Sequence, residues 1–139
     1  MNPNHSMNTI RAARTAMATR FEVVLHGNKE SWLQSVAEEV LDEIEKLDAK
    51  LSLYNPASQI ARANRQAAIT PVKVDPLTFG LLQRCAEHSE KTHGAFDITM
   101  GPLIQCWGFM KGTGACPSED AIERARALVG MHHVHLDPS

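Results

Sequence analysis

Between residues 33 and 51 the apolar side chains Leu33, Val36, Val40, Ile44, Leu47 and Leu51 recur every three or four positions. That spacing places them on one face of a helix, and Glu38, Glu39, Asp42, Glu43 and Lys46 fall mostly on the other. A long amphipathic helix follows. Ser31 with Gln34 offers it a capping box at its start.

The flanking segments set the fold class. Phe21, Val23 and Leu25 alternate with Glu22 and Val24 and run into His26-Gly27-Asn28, a strand followed by a turn. Residues 1 to about 15 are polar and aperiodic, so a disordered N-terminal segment is expected over 1–15 and a single domain over 16–139. After the helix, Asn55-Pro56 marks a turn, and Ser58 is placed to cap a short helical turn. Val72 and Val74 predict a short strand. Asp75-Pro76 then opens a helix with an aspartate cap and proline at its first position. Leu77, Leu81, Leu82, Cys85 and Ala86 supply its apolar face, and Gly94 is placed to end it. Residues 94–109 read as irregular. A third helix is expected from Ser118 to Val129, with Ile122, Ala125, Leu128 and Val129 inward and Gly130 at its end. His133 to Asp137 predicts a last strand. The sum is an α+β fold, a mixed or antiparallel sheet packed with one long amphipathic helix and two shorter ones. It reads as truncated after the last strand.

Composition narrows the function classes. With 139 residues, 43% of them apolar and 22% charged, the chain can bury a core as one ordinary globular domain. A net charge of -2 gives no electrostatic reason for a nucleic-acid partner. Cys85, Cys106 and Cys116 are an odd number, which argues against a disulfide-built domain, and Cys106 and Cys116 lack the spacing of a structural zinc site. Neither a signal peptide nor a lipid-bearing cysteine is visible near the N-terminus, and no apolar run approaches the ~18 residues that span a bilayer. A cytoplasmic protein without a membrane segment is the expectation.

Four segments stand out together: Met17-Ala18-Thr19, Leu51-Ser52-Leu53-Tyr54, Thr92-His93-Gly94-Ala95-Phe96-Asp97-Ile98-Thr99, and Gly101-Pro102-Leu103 with Trp107-Gly108-Phe109. Ser58, Arg62 and Asn64 extend the second. In this order and spacing the chain resembles the FAD:protein FMN transferases, the flavin transferase family also called ApbE, with Ala18 where glycine is usual. The resemblance implies an enzyme that binds FAD and Mg²⁺, transfers FMN to a Ser or Thr hydroxyl of a target flavoprotein and releases AMP. It implies FAD contacts at Met17, Tyr54, Ala95, Phe96 and Asp97. It places the Mg²⁺ ligands, an aspartate and a threonine among them, in a later segment that this sequence does not contain, so the isolated chain is expected to be inactive. Family members are often periplasmic lipoproteins, which would put a removed export signal ahead of this chain.

The residues are consistent with that role. Glycine at 94 permits a sharp turn that opens the backbone of Ala95 and Phe96 toward a ligand. Phe96, Tyr54 and Met17 offer apolar, polarisable surface to a flat ring system. Asp97 can accept hydrogen bonds from ring N–H, amino or ribose hydroxyl groups, and Thr99 is placed to orient it. Taken singly, Met17 reads as core, Asp97 as a turn cap, and Trp107 and Phe109 as core. His133 and His135 share one face of the expected strand, too few for zinc without a third ligand. A non-catalytic flavin-binding or scaffold protein, a gene fragment without independent role, and a small histidine metal binder are the competing readings.

Overall fold

A computed structural model describes residues 7–112 and 114–138. The chain divides into two compact units, one running through Lys73 and the other starting at Val74.

In the first unit, β1 (Asn8–Ala16) and β2 (Thr19–Gly27) form an antiparallel hairpin, and α1 (Glu30–Leu51) packs on it. The register sets Ile10 opposite Leu25, Ala12 opposite Val23 and Arg14 opposite Phe21, so one face of the hairpin carries the less exposed residues. β1 lies where a disordered segment is expected. Its alternation is real, but it is built from alanine, threonine and arginine, which have less intrinsic strand preference than β-branched or aromatic residues. Arg14 shows how the strand holds a charge on its helix-facing side. Its guanidinium donates to Asp42 at 2.5 Å, Glu38 at 2.8 Å and Glu45 at 2.9 Å, all on α1. The hydrogen bond to Asp42, seconded by the nearby carboxylate charges, raises the arginine's pKa above its ordinary value against some desolvation.

The buried stripe of α1 is Leu33, Ala37 and Leu41. Only Leu33 belongs to the stripe read from the sequence; Val40 is exposed, while Val36, Ile44 and Leu47 are half-buried. The buried stripe thus runs through Leu33, Ala37 and Leu41, four residues apart, beside Val36, Val40 and Ile44 and not through them. Leu33 and Leu41 are the large buried aliphatics, and burying each contributes about 1.5–3 kcal/mol. The helix begins two residues earlier than its expected capping box, with Lys29 as its N-cap and no side-chain cap, so Ser31 lies inside the first turn. α2 (Gln59–Gln66) follows, with the Ser58 hydroxyl accepting from the Ala61 N–H as expected.

Residues 71–75 run extended without a sheet partner among the described residues, so Val72 and Val74 form no strand. The second unit opens on α3 (Pro76–Lys91), where the Asp75 carboxylate accepts from the Thr78 N–H at 2.8 Å and Pro76 occupies the first turn. Its face differs from expectation: Thr78 and Ser89 are buried, whereas Leu77 and Leu81 are exposed. α4 (Gly101–Cys106) occupies part of the segment read as irregular, and α5 (Glu119–Arg126) packs against it, capped by Ser118. Beyond α5 the chain makes a 3₁₀ turn at Met131–His133 and continues extended, outside any sheet among the described residues. The expected strand does not form, since no strand lies beside it among the described residues; His133 Nε2 instead lies 3.3 Å from the carbonyl of Ala127 at the end of α5. His133 lies in the 3₁₀ turn, its ring tilted 44° to that of His132 with centroids 4.0 Å apart, so His133 and His135 share no strand face. No helix among the described residues is long and apolar enough to cross a membrane.

Candidate functional site

Met17 and Ala18 are the two central residues of the β1–β2 turn, between the paired Ala16 and Thr19. Both have positive φ, 49° and 57°. A two-residue hairpin turn with both central φ values positive matches the twist of its strands, and it favours glycine strongly. Ala18 takes this left-handed conformation with a Cβ, where glycine would carry no steric cost. Met17 projects from this turn and is exposed.

Tyr54 sits on the loop between α1 and α2 and is 72% exposed. The loop is tied from several directions. The N–H groups of Tyr54 and Asn55 donate to Ser52 Oγ at 3.2 and 3.1 Å. The buried Ser58 hydroxyl donates to the Ser52 carbonyl at 2.5 Å, and Arg65 donates to the Pro56 carbonyl at 2.8 Å. A ring this exposed on a backbone this constrained is presented outward and contributes little to the core. Arg62 donates to the Lys73 carbonyl at 2.6 Å, a structural task.

In the second unit α3 ends in a Schellman-type closure. His93 N–H donates to the Glu90 carbonyl at 3.0 Å and Gly94 N–H to the Ser89 carbonyl at 2.8 Å, with φ of 52° at His93 and 81° at Gly94. The sequence marks the glycine; that histidine also takes the left-handed conformation is a finding of the structure. Thr92 then collects the turn. Its carbonyl accepts from Ala95 N–H at 3.1 Å, and its hydroxyl accepts from Phe96 N–H at 3.0 Å. The backbone N–H groups expected to face a ligand are thus already used. What the turn presents is the side chains: Phe96 is 43% exposed, its ring edge-on to His88 with centroids 6.2 Å apart. Thr92 was not singled out as a residue of its own, although a threonine in the last turn of a helix is a recognisable closure residue.

Asp97 is held in an Asx turn. Its Oδ1 accepts from the Thr99 N–H at 2.7 Å and from the Thr99 hydroxyl at 2.6 Å. Both bonds use Oδ1; Oδ2 takes part in neither. The Thr99 hydroxyl in turn accepts from the Gly130 N–H at 2.6 Å, a link across 31 positions that no local sequence signal reveals. Downstream, Trp107-Gly108-Phe109 is not core: both aromatics are exposed, Phe109 to 65%. Gly108 has φ 71° and lies under Gly114 and Ala115, whose N–H donates to the Trp107 carbonyl at 2.8 Å. The glycine of that motif serves the loop crossing.

The structure thus gathers Ala95, Phe96 and Asp97 on one turn of the second unit, and sets Met17 and Tyr54 on two loops of the first. Among the described residues no three His, Cys, Asp or Glu side chains come together as a metal site.

The ApbE family model matches residues 17–139. The FAD:protein FMN transferase of Klebsiella pneumoniae is 30% identical over 122 residues, covering 86% of this chain and 35% of that protein. Its counterpart in Treponema pallidum is 31% identical over 104 residues, covering 75% and 29%. The solved structure of the ApbE protein from Thermotoga maritima superposes with a TM-score of 0.87 at 27% identity, covering 94% of this chain and 42% of that one. The flavin transferase ApbE of Vibrio cholerae shares the fold, with a TM-score of 0.80 at 23% identity. This chain spans about a third of the length of the curated relatives it matches. A match from Met17 onward, with the α+β architecture shared, means that the chain belongs to the ApbE family.

Proposed function

We propose that this chain contributes part of the FAD site of a FAD:protein FMN transferase, with Met17, Tyr54, Ala95, Phe96 and Asp97 as its flavin-nucleotide contacts. The observation that carries the reading is the turn after α3, where Phe96 is exposed beside an Asp97 carboxylate fixed through Oδ1. An exposed ring next to an oriented acceptor suits a planar heterocycle bearing N–H or amino donors, or a ribose hydroxyl. The relatives' names supply the substrate, FAD, and the reaction class.

In the reaction so assigned, the oxygen of a Ser or Thr hydroxyl on a target flavoprotein attacks the phosphorus on the FMN side of FAD. The bond from that phosphorus to the AMP oxygen breaks, AMP leaves, and the hydroxyl proton passes to solvent or a base. Such a transfer needs charge neutralisation at phosphorus, by Mg²⁺ in this family's expected chemistry. Among the described residues no cluster of three His, Cys, Asp or Glu side chains stands ready to hold such an ion, and the role we assign to this chain by itself is binding. A purified chain titrated with FAD, with and without Mg²⁺, should show saturable binding by flavin fluorescence and no AMP release. Release of AMP with flavinylation of a target peptide would overturn the division of labour. Absence of binding would overturn the flavin reading.

A further inference from the structure

We infer that Thr99 is a positioning residue, and that Gly130 N–H, Thr99 Oγ1 and Asp97 Oδ1 form a latch that fixes the rotamer of Asp97 for its ligand. The inference rests on the flavin reading of Asp97 and goes beyond it: the sequence places Thr99 to orient Asp97, and the structure adds the Gly130 N–H that completes the chain of bonds.

The chemistry of the three groups assigns the direction of each bond. An ionised aspartate only accepts, so the Thr99 hydroxyl spends its single proton on Asp97 Oδ1 at 2.6 Å. Its oxygen then accepts the Gly130 N–H at 2.6 Å, and the two bonds polarise one another. The Thr99 N–H adds a second donor to the same Oδ1 at 2.7 Å, which fixes the carboxylate plane. Asp97 and Thr99 are both partly buried, so this is not a solvated surface contact. Gly130 is suited to its end of the latch. Its φ is 139°, and a Cβ there would run into the imidazole of His132, so this end of the latch requires glycine. His133 secures the same segment from behind through the Ala127 carbonyl. The chain beyond α5 thus holds the Asp97 turn in place, leaving Oδ2 as the oxygen to meet a donor on the ligand. Ordering the carboxylate in advance removes a conformational cost from binding.

Thr99→Val keeps the shape and deletes the hydroxyl, whereas Thr99→Ser keeps the hydroxyl. Each is compared with the unaltered chain by hydrogen exchange of the Gly130 amide without ligand and by FAD titration, with thermal melting to check the fold. Thr99→Val should speed Gly130 exchange and weaken FAD binding about ten-fold, approaching Asp97→Asn, while Thr99→Ser preserves both. Unchanged Gly130 exchange in Thr99→Val shows that the latch does not exist. Faster exchange with unchanged FAD affinity, where Asp97→Asn still weakens binding, shows that it does not position Asp97. If the unaltered chain fails to bind FAD, the flavin reading fails, and the positioning role falls with it whatever the amide shows.

Discussion

Replacing Gly108 by alanine separates two demands that glycine positions usually confound. A Cβ at Gly108 would stand 2.9 Å from the carbonyl carbon of Gly114 and 3.1 Å from the nitrogen of Ala115, both backbone atoms. Side-chain rotation cannot relieve that contact, so the loop crossing must shift and strain the Ala115 N–H bond to the Trp107 carbonyl. The left-handed φ of 71° costs a residue with a Cβ about 1–2 kcal/mol, and the overpacking about 1–3 kcal/mol more. Reduced freedom of the unfolded chain returns about 0.4–1 kcal/mol, leaving a loss of about 1–4.6 kcal/mol, centred on about 3 kcal/mol. Gly94 is the control: its φ is 81°, yet a Cβ there meets nothing within 4 Å. Gly94→Ala should therefore cost about 1 kcal/mol or less. At about 3–4 °C per kcal/mol for a chain of this size, the central loss puts Gly108→Ala about 9–12 °C lower and Gly94→Ala about 3 °C lower. Circular dichroism melts of the two variants decide the matter. Equal melting temperatures would refute the reasoning, because they would mean that φ alone sets the cost and that the crossing beneath Gly108 is loose.

Three other substitutions test the packing. Ala18→Gly should stabilise the chain by about 0.5–1 kcal/mol, since it relieves a left-handed alanine in the hairpin turn; a lower urea midpoint would contradict the turn assignment. The Thr78 hydroxyl is buried without a hydrogen-bond partner among the described residues, so Thr78→Val should raise stability by about 1–2 kcal/mol, and a fall in melting temperature would show that the oxygen is satisfied. Ser58→Ala removes the cap of α2 and the bond to the Ser52 carbonyl together, at a cost of about 1–3 kcal/mol. Limited proteolysis of that variant should show faster cutting around Tyr54; unchanged cutting would mean that the loop is held by other contacts.

What the sequence could reveal followed the range of each interaction. Caps at Ser58, Asp75 and Ser118 act over three residues, and all three form where the sequence places them. The existence of α1 was legible because its period is strong, but which of two neighbouring stripes is buried depends on how the helix packs on the hairpin, a contact between elements that the period alone does not fix. β1 was missed because its inward positions include Arg14, whose place is justified by three carboxylates 24 to 31 residues away. The expected strand at 133–137 looked apolar and alternating, yet a strand exists only with a partner, and none lies beside it among the described residues. At the candidate site the motif pointed to Asp97, Phe96 and Tyr54, and the Thr99 contact to Asp97 was legible from their spacing. The use of the Ala95 and Phe96 amides by Thr92 and the arrival of Gly130 were not, since both depend on how the chain turns after α3 and α5.

The most direct test of the flavin assignment is an amide chemical-shift map of the labelled chain during titration with FAD. Saturable shifts concentrated at Phe96, Asp97 and Thr99, weakened in Asp97→Asn, are the expected result. Saturable shifts that leave those three residues unmoved, or no shifts at all, would contradict the assignment of FAD to the turn after α3.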